Sequence, residues 1–170
     1  KLADFAGVQA EGSFSTTTRT YSYGAHACHV AVDARTGHVE VLDYVAIEDV
    51  GVAINPHIVH GQAIGALVQG LGGVFLDQIM YDRDAQMLNA SLMDYLVPLA
   101  TDYSNIRAIT MELRRSKTNP LGAKGAGEGG MVAVAATMAN AVAAALAPLG
   151  VEVHELPLSP ANVWRLVAGA

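Results

Sequence analysis

The sequence predicts an α+β fold, and three observations carry that prediction. Two β-type runs are separated by a turn of hairpin length, two long apolar runs have helical character, and strands and helices mix without regular alternation. Residues 1–22 are polar and threonine-rich and show no helical period, so they are expected as an N-terminal arm or edge segment. The domain proper is expected over 23–170.

The two β runs are 25–32 and 39–47, joined by Asp33-Ala34-Arg35-Thr36-Gly37, with the glycine placed where a positive φ is needed. In the second run Val39, Val41 and Tyr44 alternate only roughly, which predicts a bulge or two buried faces. Asn55-Pro56 opens a long helix reaching about 75–80, because proline is tolerated at the first helical position. Gln62, Gly65, Gln69, Gly72 and Gly73 fall on one face of it, small and polar, opposite Ile64, Leu67, Val68 and Leu71. Such a face suits close approach of a flat ligand or of another helix, and the pattern leaves both open.

A charged turn at 81–85 and a short segment at 93–98, stopped by Pro98, precede a third strand at 106–113. Residues 114–124 have no period. A second helix, 131–146, ends at Pro148 and Gly150; a last strand is expected at 151–156, and Ser159-Pro160 starts a closing helix through Val167.

The length of 170 residues suits one domain. With 52% apolar and 15% charged residues the chain is not disordered, and it has surface to bury against a partner. Ten basic against sixteen acidic residues, with no basic stripe, argue against nucleic-acid binding. Cys28 alone excludes an internal disulfide and fits a reducing, cytoplasmic setting. The apolar run 131–149 is interrupted by Thr137, Asn140 and Pro148, so it reads as a buried helix and not as a membrane span. No signal segment shows, and without an initiating methionine the chain is expected to begin mid-protein or to be trimmed.

One stretch demands a chemical account: Gly125-Ala126-Gly127-Glu128-Gly129-Gly130, directly before a helix. Each glycine costs about 0.5–1 kcal/mol to order relative to alanine, so such a loop exists where something approaches the backbone. The helix behind it offers free N–H groups, and Glu128 is its one ionisable side chain. A helix-capping role for Glu128 is the plain alternative. The spacing also imitates a dinucleotide fingerprint, with Glu152 or Glu155 as the ribose acid, but no strand runs into the first glycine. His26, Cys28, His29, His57 and His60 lack zinc-site spacing and read as hairpin-surface and helix-start residues. Arg114, Arg115 and Lys117 form a small basic cluster, either a solvated strand end or a neighbour of an anion.

At these residues the sequence resembles the C-terminal part of the large, molybdopterin-binding subunit of the molybdenum hydroxylases. That family includes xanthine dehydrogenase, aldehyde oxidoreductase and carbon monoxide dehydrogenase. The matching stretches are Tyr23-Gly24-Ala25-His26, Asp49-Val50-Gly51 through Asn55-Pro56, Gly61-Gln62 with Gly65 and Gln69-Gly70, Met93-Asp94-Tyr95 with Pro98, and Asn119 through Glu128. They fall in the family's order over roughly 8–146.

The resemblance implies an oxidoreductase that hydroxylates or oxidises a carbon centre with water-derived oxygen. It implies a molybdenum–molybdopterin cofactor, usually the cytosine dinucleotide form in bacteria. Glu128 matches the family's general base, acting on a metal-activated hydroxyl while the cofactor accepts hydride. Gln62 matches a glutamine set against the pterin, and Lys124, Gly125, Ala126 and Gly127 match the loop that skirts the cofactor. Electrons are expected to leave through 2Fe-2S clusters to FAD on partner chains in a hetero-oligomer. The loop over the metal and the substrate-orienting segments are absent here. The chain is therefore expected to be inactive alone, completed by the rest of the large subunit or a companion chain. A nucleotide-binding or structural subunit using the 125–130 loop is the alternative function.

Overall fold

The computed structural model describes Gly7 and residues 10–169, so part of the expected arm, 1–6 and 8–9, lies outside the described residues. Residues 10–22 carry neither helix nor strand. The first two strands are β1 (Tyr23–Asp33) and β2 (His38–Asp49), an antiparallel hairpin. Its turn closes on the Asp33 carbonyl, which accepts from Thr36 and Gly37, and Gly37 takes φ 73°. A β-carbon at Gly37 would strike the backbone of residues 160 and 164, so the same glycine admits the final helix. The expected bulge is present: the register shifts between His29 and Val30, which leaves Leu42 as an extra residue of β2.

Helix α1 (Pro56–Phe75) starts as expected, with the Asn55 side chain accepting from the Ile58 N–H at 3.2 Å. It carries the chain back to β3 (Ile106–Met111), which pairs parallel to β2 and gives the mixed sheet β1-β2-β3. Then come α2 (Gly129–Val132), α3 (Val134–Leu146), a 3-10 turn (Ala147–Leu149) and α4 (Pro160–Ala168). The architecture is α+β, as the mixed pattern predicted.

The core forms where helical and strand periods meet. Tyr44 and Ala46 of β2 face Leu67, Leu71 and Val74 of α1 and Val134, Met138, Val142 and Leu146 of α3, all essentially inaccessible. Spacings of three and four along each helix and two along the strand place these residues on single faces. Fully burying one such Leu or Val side chain contributes about 1.5–3 kcal/mol. By length and composition α1 and the stretch 129–149 could each cross a membrane; in this fold their apolar rows line the core.

Three expectations are corrected. The second long helix begins at Gly129 and breaks at Ala133 into α2 and α3. No strand forms at 151–156: Val151 and Val153 pack on the core, but the sheet ends at three strands and gives that backbone no ladder partner. Strand β3 stops at Met111, because beyond it the chain is drawn toward Asp49, which accepts from the Arg114 N–H at 2.9 Å.

Helix α1 does pack through small residues, but on the row beside the predicted one. Gly130 sits against the Ala63 carbonyl and Ala66, and Gly70 against Val134. Gln62, Gly65 and Gln69 are exposed, and a β-carbon at Gly65 would meet nothing.

Candidate active site around the glycine-rich loop

The loop is anchored before its first glycine. Asn119 both donates to the Ala123 carbonyl at 2.9 Å and accepts from its N–H at 3.2 Å. That closes the turn through Gly122, which takes φ 71°. Next, the Lys124 N–H donates to the Val50 carbonyl at 2.8 Å, laying the chain beside the end of β2. The Lys124 ammonium turns inward to Asp49 Oδ1 at 3.2 Å, with side chains 7% and 3% exposed. Its Nζ stands 4.4 Å over the ring of Tyr23, whose hydroxyl donates to Asp49 Oδ2 at 2.9 Å. Burial pushes the Asp49 carboxyl up, but the Gly51 N–H, the Tyr23 hydroxyl and Lys124 outweigh it and hold it at about 2.

The far end of the loop is anchored by His26. Its Nε2 donates to the Gly129 carbonyl at 3.2 Å, and its Nδ1 accepts from the Tyr44 hydroxyl at 2.9 Å. Burial pushes Tyr44 up to about 12, which keeps it a donor. Burial also lowers His26, against the opposing pull of the Gly129 carbonyl, so the ring is neutral at physiological pH.

Between these anchors lies a cleft of about 520 Å³, bounded by Tyr21, Tyr23, His26, Glu48, Glu128 and the glycine backbone. Glu128 precedes α2 in the capping position, yet its side chain makes no capping hydrogen bond. Its carboxylate is exposed at the cleft, which is the placement a proton acceptor needs.

The four glycines divide by cause. Gly129 leaves room for the Glu48 carboxyl, and Gly130 for the Ala63 carbonyl and Ala66. At Gly125 and Gly127, by contrast, a β-carbon would meet nothing within 4 Å, and neither takes a positive φ. Nothing among the described residues requires glycine at those two positions. They form a bare backbone wall on the cleft, the surface a flat cofactor needs for close approach.

Of the residues singled out in the sequence, Gly125, Gly127 and Glu128 come together on the cleft, with Ala126 half-buried between the glycines. Lys124 belongs to the loop, but its ammonium is committed to Asp49. Gln62 stands apart on the open face of α1. The dinucleotide reading fails on geometry, since β3 ends at Met111 and no strand leads into Gly125. Among the described residues no three His, Cys, Asp or Glu side chains could share a metal ion. His26 and Glu48 were missed as site residues. His26 shares the inward row of β1 with Cys28, Val30 and Val32, a signal that separates it from exposed His29.

The comparisons place this fold in the class of pterin-cofactor-binding domains. The molybdopterin cofactor-binding domain family matches residues 3–104. The chain belongs to that family, within the large subunits of the xanthine oxidase group. It is 35% identical over 98% of its length to the gamma subunit of the 6-hydroxypseudooxynicotine dehydrogenase complex of Paenarthrobacter nicotinovorans, covering 21% of that protein. It is 31% identical over 94% of its length to the carbon monoxide dehydrogenase large chain of Hydrogenophaga pseudoflava, covering 20% of it. Among solved structures, quinoline 2-oxidoreductase from Pseudomonas putida 86 superimposes with TM-score 0.80 and 39% identity. That match covers 85% of this chain and 18% of the other. A Cu,Mo-CO dehydrogenase superimposes with TM-score 0.82 and 30% identity over 87% of this chain and 18% of its own. The chain thus spans about a fifth of the length of the relatives it matches.

Proposed function

We propose that this chain supplies the base-bearing part of the active site of a molybdopterin-dependent hydroxylase or dehydrogenase. The observation that carries the reading is an uncapped Glu128 carboxylate on a cleft whose wall is the bare backbone of Gly125 and Gly127. The bound molybdenum cofactor supplies the oxygen-activating and electron-accepting chemistry. The chain's own residues cradle that cofactor, hold the loop in place and move a proton. Gly125, Ala126 and Gly127 present backbone to the cofactor. Lys124 holds that backbone through Asp49, while His26 fixes the carbonyl of Gly129. Glu128 takes the proton released as the substrate carbon is oxidised. Gln62, exposed on α1 apart from the cleft, contacts the pterin where the cofactor extends beyond the loop.

The same proposal includes the cytosine dinucleotide form of the cofactor, iron–sulfur and flavin subunits, and a cytoplasmic complex. Relatives named as a gamma subunit and as a large chain support a multi-subunit assembly. The exposed Leu92, Met93, Leu96 and Leu99 support coverage by the rest of a large subunit. The chain is inactive alone on this reading, and residues 1–22 act as an arm toward that partner.

The test is Glu128→Gln in the full-length protein assembled with its partners. A general base contributes about 10²–10⁴-fold, so kcat should fall by that factor while molybdenum content stays near normal. Wild-type turnover at full metal content removes Glu128 from the mechanism.

A further inference from the structure

Along β2 the row Tyr44, Ala46, Glu48 alternates onto the helix-covered face. Its last member is a carboxylic acid where the pattern asks for an apolar residue. Glu48 is 3% exposed, and neither carboxyl oxygen has a hydrogen-bond partner. Beside it, in register on β3, the buried hydroxyl of Thr110 is also unpartnered. Above it the chain makes room with Gly129, where a β-carbon would collide with the Glu48 carboxyl. The acid therefore lies directly beneath the loop, one residue past Glu128, and contributes to the same cleft.

A buried carboxylate without a partner is strongly disfavoured and is relieved by taking up a proton. Here the pressure is one-sided, since burial raises the Glu48 carboxyl and nothing lowers it. The titratable groups around the cleft are Tyr21, Tyr23 and His26 on the β1 side and Glu128 on the loop. His26 is committed to Tyr44 and Gly129, and Tyr23 to Asp49. Lys124 is paired with Asp49. From α1, the residues that reach the loop at Gly130 are Ala63 and Ala66, which bring no ionisable group.

We propose that Glu48 is a positioning residue for Glu128: a neutral carboxylic acid that floors the cleft beneath Gly129 and keeps a second negative charge away from the base. This rests on the reading of Glu128 above. Ionising Glu48 would place two carboxylates in one cleft and disfavour the charged form of the base.

The test uses the full-length protein assembled with its partner subunits and the variant Glu48→Gln, which keeps the shape and removes the titration. A carboxyl raised above its ordinary 4.5 in the folded state contributes stability below that value and loses it as pH rises through the folded value. The Tm of Glu48→Gln minus that of wild type should therefore grow as pH is raised from 4.5 and then level off. The acid limb of the kcat profile, set by the base losing its proton, should coincide with that of wild type, because a neutral Glu48 adds no charge beside the base. A Tm difference independent of pH, or an acid limb displaced to lower pH in Glu48→Gln, overturns the proposal. If glutamine is not accommodated, Glu48→Leu continues the apolar row and carries the same Tm measurement. The Tm result stands apart from turnover, so failure of the Glu128 mechanism is distinguishable from failure of this one.

Discussion

Gly125 and Gly127 differ from Gly129 and Gly130 although they share one six-residue stretch. The second pair is demanded from within, because the Glu48 carboxyl and the Ala63 carbonyl occupy the space of their β-carbons. The first pair is demanded by nothing in the described chain. Glycine therefore records how the loop docks on its own fold at one pair and, on the proposed reading, where the cofactor approaches it at the other.

Substitutions can break that division or sharpen it. The largest effect on stability is expected at Gly130, where the obstacle is backbone and adjacent Ala66. Gly130→Ala should cost about 1–3 kcal/mol by overpacking, seen as a lower Tm of the assembled protein. Gly129→Ala should cost less, because the obstacle is the end of a side chain that can shift.

Gly125→Ala and Gly127→Ala should leave stability unchanged or raise it by about 0.4–1 kcal/mol, through a less flexible unfolded chain. Their molybdenum content should fall nonetheless. If either destabilises the protein as much as Gly130→Ala, the division between inner and outer glycines is wrong.

A further effect is read from the acid side of the stability curve. Asp49 is depressed from 3.8 to about 2, so it contributes stability that is complete above 3.8 and is lost as pH falls toward 2. Asp49→Asn should lower Tm near neutrality and flatten its decline over that acid window. An unchanged acid limb would show that Lys124 does not hold the loop through this carboxylate.

Much of this was legible in the sequence because it is local. Asn55-Pro56, Ser159-Pro160 and the Gly37 turn are start and stop signals whose physics lies within a few residues. The place of the loop and of Glu128 on a cleft was legible because clustered glycine is costly and so points to a cause. The strand at 151–156 was misread because alternation records burial, whereas a strand also needs a neighbour with free backbone groups. His26 and Glu48 were missed because each takes its meaning from Gly129, far along the chain. The break at Ala133 was hidden inside a run of good helix formers.

The sheet also sets an order of assembly. The β1-β2 hairpin needs only the short turn at Gly37, and hairpins of this kind close in roughly 1–10 μs. Tyr44 and Ile106 meet only after α1 and everything up to β3 has been laid down, so that closure carries a larger entropy cost and comes later. Until then the edge of β2 that will receive β3 is an unpaired strand, open to any extended segment that reaches it first. A slow parallel closure beside a fast hairpin makes this piece a point of vulnerability during synthesis, and substitutions in β3 should be felt first in the yield of folded protein.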